Sequence, residues 1–324
     1  MNSPQLSEPA NPRGKMIRRL LVAGIASLSA WSFQVAHGDT LNIGFEPGEG
    51  YMSGQPIKGQ GSAGNVWTQG VPAEMLDANV STAAAHSGTQ AFELSNAVLS
   101  TSLNSVLSPA TLMPAGETGT SVGKTGTGGS LMAAQGVDLF TSDFWFRTVS
   151  TTADPGLNIN LSLTDGTGAR MTYLRISESA GALAIDYLGY DKSINDFPDS
   201  LVATNLNWGT WYHLRLEAYM PDGASNDIVS IYLSTNSTFA PTDLKLTNTT
   251  WEDLYRVDGS NGPLPAINSI SSKINAPAGA NTPLGVLFDD MVLSSAVPEP
   301  TTAALLAIAV SAVGVVRPRR TRKG

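Results

Sequence analysis

Few residues in this chain could carry out chemistry, because the sequence contains no cysteine and only three histidines. Without cysteine there is no disulfide, no thiolate metal site and no thiol nucleophile. Hydrolysis of a glycosidic bond needs two carboxylates about 5–9.5 Å apart, and a single strand would present them as Glu-x-Asp-x-Glu. That spacing does not occur, and neither His86 nor His213 lies in a recognisable general-base pattern. We therefore expect no catalytic residue and no enzymatic activity.

The best candidate for ligand binding is a strand face that combines an aromatic ring with polar groups. In one predicted strand, alternation places Trp211, His213 and Arg215 on the same face. An aromatic ring beside polar side chains can stack on a sugar and hydrogen-bond its hydroxyl groups. Tyr173 and Arg175 form a similar face on another strand. The alternative is an ordinary solvated face with cross-strand charge pairs.

Strands must position these side chains, because the composition disfavours a helical protein. Charged residues make up 14% of the 324 residues, while 32 glycines and 19 prolines supply many turns. Between residues 39 and 297, no stretch has helical periodicity longer than two turns. We predict an all-β fold, a two-sheet antiparallel β-sandwich of the jelly-roll type, with a hydrophobic helix at each terminus. Strands are expected over residues 41–46, 90–94, 140–147, 158–163, 171–176, 182–188, 211–220, 227–233, 267–274 and 284–293.

Both ends of the chain are typical of targeting segments. Residues 1–38 contain an arginine pair, an apolar run and small residues before a predicted cleavage after Gly38, which is the pattern of a secretory signal peptide. Residues 297–324 contain the mostly apolar segment 301–316 and end in a basic cluster. A helix over this segment would be ~24 Å long, slightly less than a ~30 Å hydrocarbon core. We expect it to cross the inner membrane transiently; a permanent single-span anchor is the alternative.

The C-terminal segment resembles a known sorting signal. The order of Pro298-Glu299-Pro300, a short apolar helix and a terminal arginine cluster is similar to the PEP-CTERM signal of Gram-negative bacteria. This resemblance implies processing by an exosortase-type membrane protease. It also implies export across the inner membrane to the cell surface or extracellular matrix, and association with extracellular polysaccharide.

The segment between the two ends, residues 39–296, is predicted to form the folded domain. Residues 39–297 keep 10 of the 19 basic and 25 of the 27 acidic residues, for a net charge of −15, which argues against a nucleic-acid partner. Four short features occur in an order that resembles concanavalin-A-like lectin/glucanase folds and carbohydrate-binding modules. They are Gly44-Phe45-Glu46, Ser87-Gly88 before a strand, Trp208–Leu216 with its strand Ile228–Leu233, and the terminal run that begins with Phe288-Asp289-Asp290 and ends at Leu293.

That resemblance also implies a structural calcium site. In such binding modules an early glutamate and a terminal aspartate pair share one Ca²⁺. The matching residues are Glu46 with Asp289 or Asp290, and backbone carbonyls around Ser87 would complete the six to eight oxygen ligands. The alternative is that these are solvated residues at strand ends.

Taken together, these patterns lead us to expect an exported, non-catalytic protein that binds or organises extracellular polysaccharide. A glycan-active hydrolase or lyase on the same fold is the alternative from the class of enzymes. A purely structural matrix protein is the third interpretation. The missing carboxylate pair argues against the enzyme, and the sequence does not separate the other two.

Overall fold

The computed structural model describes residues 38–69, 77–95, 106–117, 136–166, 172–223, 226–249, 252–256, 266–274 and 285–297. The predicted signal segment 1–38, apart from Gly38, and the predicted sorting segment 297–324, apart from Val297, lie outside these ranges, and so do the two predicted hydrophobic helices. Helical structure within them consists of two 3₁₀ turns, Pro47–Glu49 and Pro241–Asp243, and a one-turn α-helix, Asp253–Arg256. None of these helical segments is long and apolar enough to cross a bilayer.

Seventeen strands account for most of the described structure. They are β1 (Asp39–Ile43), β2 (Gly61–Ser62), β3 (Asn65–Val66), β4 (Thr68–Gln69), β5 (Ala78–Ser81), β6 (Ala91–Ser95), β7 (Val106–Leu107), β8 (Leu139–Thr148), β9 (Asn158–Thr164), β10 (Tyr173–Ser179), β11 (Ala182–Leu188), β12 (Asp199–Leu206), β13 (Tyr212–Tyr219), β14 (Ile228–Ser234), β15 (Leu244–Asn248), β16 (Ser269–Ile274) and β17 (Gly285–Ala296).

These strands form two large antiparallel sheets and one small hairpin. Sheet I has the order β15-β14-β13-β8-β17-β6-β5, and β1 also pairs with β17. Sheet II has the order β12-β11-β10-β9-β16-β7-β4, while β2 and β3 pair with each other. Apolar residues of both sheets belong to one hydrophobic core. The prediction of an all-β, two-sheet antiparallel architecture is therefore confirmed.

Strand β8 illustrates how the sequence builds the core. Phe140, Phe144 and Phe146 lie on one face and are fully buried, while Asp143 and Arg147 lie on the opposite face and are partly exposed. This is the alternation that period-two geometry requires of a strand with one face on the core. The polar outer faces of the two sheets are consequently the surfaces on which a site can form.

A β-bulge in β17 interrupts the alternation that the sequence suggests. Strict alternation would place Phe288 and Asp290 on the same face, with Asp289 on the other. The register shifts between Asp289 and Val292, and Asp290 has a φ of 46°. As a result Phe288 and Asp289 are both buried, and Asp290 is partly exposed. The bulge changes the direction in which the two aspartate side chains point, which is a common effect of bulges.

The strands that the sequence did not predict are mostly at sheet edges. Strand β15 begins sheet I and β5 ends it, while β12 begins sheet II and β4 ends it. Much of β12 and β15 is exposed. An edge strand buries less of its surface than a central one, so its sequence carries a weaker hydrophobic alternation. The segment 51–70, predicted as a glycine-rich loop, contains β2, β3 and β4.

Candidate functional site

A row of four polar side chains crosses the outer face of sheet II. Asp186 on β11 pairs with Arg175 on β10, Arg175 pairs with Asn160 on β9, and Asn160 pairs with Lys273 on β16. The residues on either side of each of them along the strand belong mostly to the core. Because residues in register stand side by side on one face, this pairing aligns a carboxylate, a guanidinium, an amide and an ammonium group.

Tyr173 stands on the same face, two residues from Arg175. The Lys273 ammonium nitrogen lies 4.9 Å from the centre of the Tyr173 ring, a cation–π contact. Tyr173 packs edge-on against Phe197 at 5.8 Å, and Phe197 packs against Tyr190 at 5.4 Å. These rings form an aromatic wall beside the polar row, which is the combination that sugar-binding surfaces use.

Two ionised carboxylates hold Arg175 in place. Its Nη2 donates to Asp186 at 3.0 Å and to Asp199 at 2.5 Å. Burial alone would lower the pKa of Arg175, but the two hydrogen bonds and the neighbouring negative charges outweigh it and raise that pKa. The guanidinium is therefore a fixed positive charge on this face.

Several buried polar atoms on this face have no hydrogen-bond partner in the described structure. They include Nε of Arg175, Oδ1 of Asn158, Oδ1 of Asn160 and Oγ1 of Thr164. A buried polar group without a partner costs about 1–3 kcal/mol. These atoms are covered by their neighbours, so they make the face polar without themselves being exposed to a ligand.

The outer face of sheet I carries a different cluster, centred on Asp143 of β8. Its Oδ2 accepts hydrogen bonds from Arg215 Nε at 2.8 Å and Nη2 at 2.7 Å, and its Oδ1 contacts His213 Nε2. The other ring nitrogen of His213 lies 3.0 Å from the backbone carbonyl of Asn236. Both ring nitrogens of His213 therefore face oxygen atoms.

Stacked rings cover this cluster. His86 stacks on Trp145 at 3.8 Å, Trp145 on His213 at 4.8 Å, and His213 on Phe239 at 4.2 Å. Trp211 meets His86 edge-on at 5.6 Å. His213 is consequently only 6% exposed, although its strand face points outward as predicted. Packing from both sides leaves this imidazole little room to reach a ligand.

Asp143 and Glu217, which the register places diagonally on neighbouring strands, have opposite pKa shifts. Burial would raise the pKa of Asp143, but the hydrogen bonds and charges of His213 and Arg215 lower it overall. Burial raises the pKa of Glu217, and Asp143 contributes to this rise while Arg215 opposes it. Diagonal neighbours stand about 7–8 Å apart. Two carboxylates with separated pKa values are the usual signature of an acid–base pair.

Glu46, predicted to bind calcium, accepts hydrogen bonds from the loop before β6. Thr89 donates its amide N–H at 2.7 Å and its hydroxyl at 2.8 Å, and Gln90 donates its amide N–H at 3.0 Å. Burial would raise the pKa of Glu46, but these donors outweigh it and lower that pKa. N–H groups, and not carbonyl oxygens, thus face this carboxylate.

The terminal aspartate pair is also bonded to that loop. Asp289 accepts the amide N–H groups of His86 at 2.7 Å and Ser87 at 3.1 Å, and burial raises its pKa to about 6. Asp290 bonds the His86 ring at 2.7 Å and the Ser87 hydroxyl at 2.5 Å. A calcium ion shared by these acidic residues stays a prediction.

The four predicted ligand-binding residues do not form one site. Trp211, His213 and Arg215 belong to the sheet I cluster, whereas Tyr173 belongs to the outer face of sheet II. Sequence analysis missed Asn160 and Lys273, which complete the polar row. The polar alternation of the predicted strand 158–163 was a signal for Asn160, since every second residue of that strand is polar.

No protein-family description and no curated protein matches this chain. Solved structures do match. A carbohydrate esterase from the Shiga toxin-encoding bacteriophage phi24B is 13% identical, with 71% of this chain and 89% of that chain covered and a TM-score of 0.41. The alginate lyase Aly36B, solved with an alginate trisaccharide, is 12% identical, with 79% and 97% covered and a TM-score of 0.35. An endo-β-1,4-glucuronan lyase from the fungus Trichoderma reesei is 12% identical, with 71% and 94% covered and a TM-score of 0.35.

These findings correct the expectation of a non-catalytic protein that only binds or organises polysaccharide. The three similar structures are of enzymes that act on carbohydrates. The expectation rested on the absence of two carboxylates from any single strand. That criterion is too narrow, because strand pairing brings polar side chains from different strands together, as it does for Asp143 and Glu217 on sheet I and for the row on sheet II.

Proposed function

We propose that this chain is an exported glycan-active enzyme that cleaves an acidic polysaccharide by β-elimination on the outer face of sheet II. The observation that carries the proposal is the row Arg175–Asn160–Lys273 with Tyr173 above it. Elimination in a uronic acid polymer requires neutralisation of the sugar carboxylate, removal of the proton at C5 and protonation of the departing O4. The row contains one group for each of these tasks.

Arg175 and Asn160 are suited to the sugar carboxylate. Arg175 carries a fixed positive charge on a side chain that is 21% exposed, and Asn160 has an amide on the adjacent strand. Donors aimed at a carboxylate stabilise the enolate that forms when the C5 proton leaves. Asp186 and Asp199 then act as positioning residues, because they hold the guanidinium against the sheet.

Lys273 and Tyr173 are suited to proton transfer. In its neutral form the Lys273 amine accepts the proton from C5, and the electron pair of that C–H bond moves toward the carboxylate. The C4–O4 bond then breaks, a C4=C5 double bond forms, and the Tyr173 hydroxyl protonates O4. Return of the proton from Lys273 to the Tyr173 oxygen, carried by water, restores both groups. The 4.9 Å contact joins the Lys273 nitrogen to the centre of the Tyr173 ring and keeps the two side chains side by side.

The test is the incubation of the purified full chain with alginate, glucuronan and polygalacturonate, and with a neutral β-glucan for comparison. We expect ultraviolet absorbance from the new double bond with at least one polyuronate and none with the neutral polymer. Tyr173→Phe keeps the ring contacts but removes the proton, so turnover should fall by about 10²-fold or more. Tyr219→Phe, at an exposed tyrosine on the other sheet, is the matched control and should retain full turnover.

Failure to form unsaturated product from any polyuronate would refute the proposal, and so would equal turnover of Tyr173→Phe and the control. A second candidate, glycoside hydrolysis by Asp143 and Glu217, is favoured by their opposite pKa shifts. Hydrolysis gives new reducing ends without a double bond. Measurement of both products in the same reaction therefore separates the two chemistries.

Export of this enzyme is the remaining part of the proposal. The signal-peptide pattern before Gly38 and the PEP-CTERM-like tail support transport across the inner membrane, with an exosortase-type protease as the processing partner. An acidic jelly-roll domain of the concanavalin-like type would then meet polysaccharide at the cell surface or in the extracellular matrix.

A further inference from the structure

Three buried carboxylates converge at the end of sheet I where β14 begins. Asp227 directly precedes β14, Glu252 directly precedes the one-turn helix, and Glu117 lies in the loop that follows β7. One oxygen from each lies within 4.8 Å of the other two. The three residues come from separate parts of the chain, so only the folded domain brings them together.

Asp227 is the member of the cluster with unsatisfied oxygens. Its side chain is fully buried, and among the described residues neither of its oxygens has a hydrogen-bond donor. Asp289 is equally buried but accepts three backbone N–H groups, which is how proteins normally satisfy a buried carboxylate. The contrast between these two aspartates marks Asp227 as a group whose partner is something other than a protein donor.

Further acidic side chains lie near Asp227. Asp138 is close enough to interact with it electrostatically, and Asp222 interacts with Asp138 in the same way. Backbone amides contact the other two members, from Asn226 to Glu252 at 3.0 Å and from Gly223 to Glu117 at 3.5 Å. A cation among these carboxylates would relieve their mutual repulsion.

We propose that Glu117, Asp227 and Glu252 bind one Ca²⁺ ion that ties three loops together at the end of sheet I. Calcium–oxygen bonds are about 2.3–2.6 Å long, so two oxygens on the same ion are at most about 5 Å apart. The convergence of the three ligand atoms within 4.8 Å meets this requirement. Carboxylates supply the hard oxygen donors that Ca²⁺ prefers, and waters or backbone carbonyls can complete its shell.

Calcium fits this site better than magnesium or zinc. Zinc favours nitrogen and sulfur ligands, and the cluster contains neither histidine nor cysteine. Magnesium demands near-ideal octahedral geometry at about 2.0–2.1 Å and retains much of its water, whereas three carboxylates from three loops form an irregular protein cage. The ion is structural here, because the cluster is buried and separate from the polar row on sheet II.

The experiment compares thermal unfolding of the purified full chain in excess chelator and in excess CaCl₂, with calorimetric titration of CaCl₂ into the chelator-treated protein. Binding to the folded state alone at about 100 times the Kd should raise the Tm by roughly 5–10 °C. Asp227→Asn conserves size and removes the charge. This variant should fold at least as stably as the wild type in chelator, but lose both the Tm rise and the binding heat.

Glu46→Gln is the matched control, since it alters the other acidic site considered for calcium. It should retain the Tm rise and one bound ion. An equal rise in the wild type and in Asp227→Asn would overturn the proposal, as would loss of the rise in Glu46→Gln alone. A comparable rise with MgCl₂ at the same concentration would overturn the assignment to calcium. Every one of these readouts is independent of catalysis.

Discussion

Replacement of Asp143 by asparagine is expected to destabilise the domain without abolishing polyuronate cleavage. Asp143 is the acceptor for both His213 and Arg215, and its side chain is only 14% exposed. The substitution removes the nearest carboxylate of the partly buried Arg215 guanidinium and the charged acceptor of the His213 ring. The sheet I cluster is thus predicted to be a structural network, in contrast to the polar row on sheet II.

The size of this destabilisation follows from the burial of Asp143, His213 and Arg215. Removal of one member of a fully buried ion pair costs about 3–5 kcal/mol. Arg215 is one-third exposed, and asparagine keeps one acceptor oxygen, so we expect a loss of about 2–3 kcal/mol. In a domain of this size that corresponds to a Tm decrease of roughly 5–10 °C.

The assay is thermal unfolding followed by circular dichroism from neutral to acidic pH. The pKa of Asp143 is below its ordinary value of 3.8, so its contribution is present above that pH and is lost as the pH falls through the folded-state pKa. The difference in Tm between the wild type and Asp143→Asn should therefore become smaller below about pH 4. Asp196→Asn, at an exposed aspartate whose side chain accepts the amide N–H of the next residue, should leave the Tm unchanged.

Two results would refute this reasoning. One is an unchanged Tm in Asp143→Asn, which would mean that the ion pairs contribute no net stability. The other is a well-folded Asp143→Asn variant that has lost polysaccharide cleavage, which would move the active site to sheet I. Products without a double bond would then favour hydrolysis by Asp143 and Glu217.

Three further predictions concern the packing and the ends of the chain. Tyr51→Phe removes the acceptor of the buried Trp67 Nε1–H, 3.0 Å away, and should cost about 1–3 kcal/mol in denaturant unfolding; an unchanged midpoint would contradict it. Gly88→Ala should destabilise by about 2 kcal/mol or more, because Gly88 has a φ of +62° and a Cβ there would lie 2.2 Å from Glu46 Oε1; a matched substitution at Gly54, with open space around it, should cost less. Intact-mass measurement of the exported protein should give a chain that begins near Asp39 and lacks the terminal arginine cluster, whereas retention of the segment from Arg317 to the C-terminus would indicate a permanent anchor.

Several features of the fold could be predicted from the sequence, because they depend on local information. A strand has a period of two, so the order of apolar and polar residues within β8 and β9 already determines which side chains face the core. Central strands carry this pattern and were predicted. Edge strands such as β12 and β15 expose much of their surface and were not.

The sites depend on which strands are neighbours and in what register, and neither property is local. His213 meets Asp143 across 70 positions of sequence, and the polar row joins β10, β9 and β16. The bulge after Asp289 and the convergence of Glu117, Asp227 and Glu252 likewise arise only on folding. Register is set by long-range packing of the core, and a slip of one residue would turn Asn160 from the outer face into the core. The sequence alone therefore determined which residues are available for chemistry, and the tertiary structure decided which of them act together.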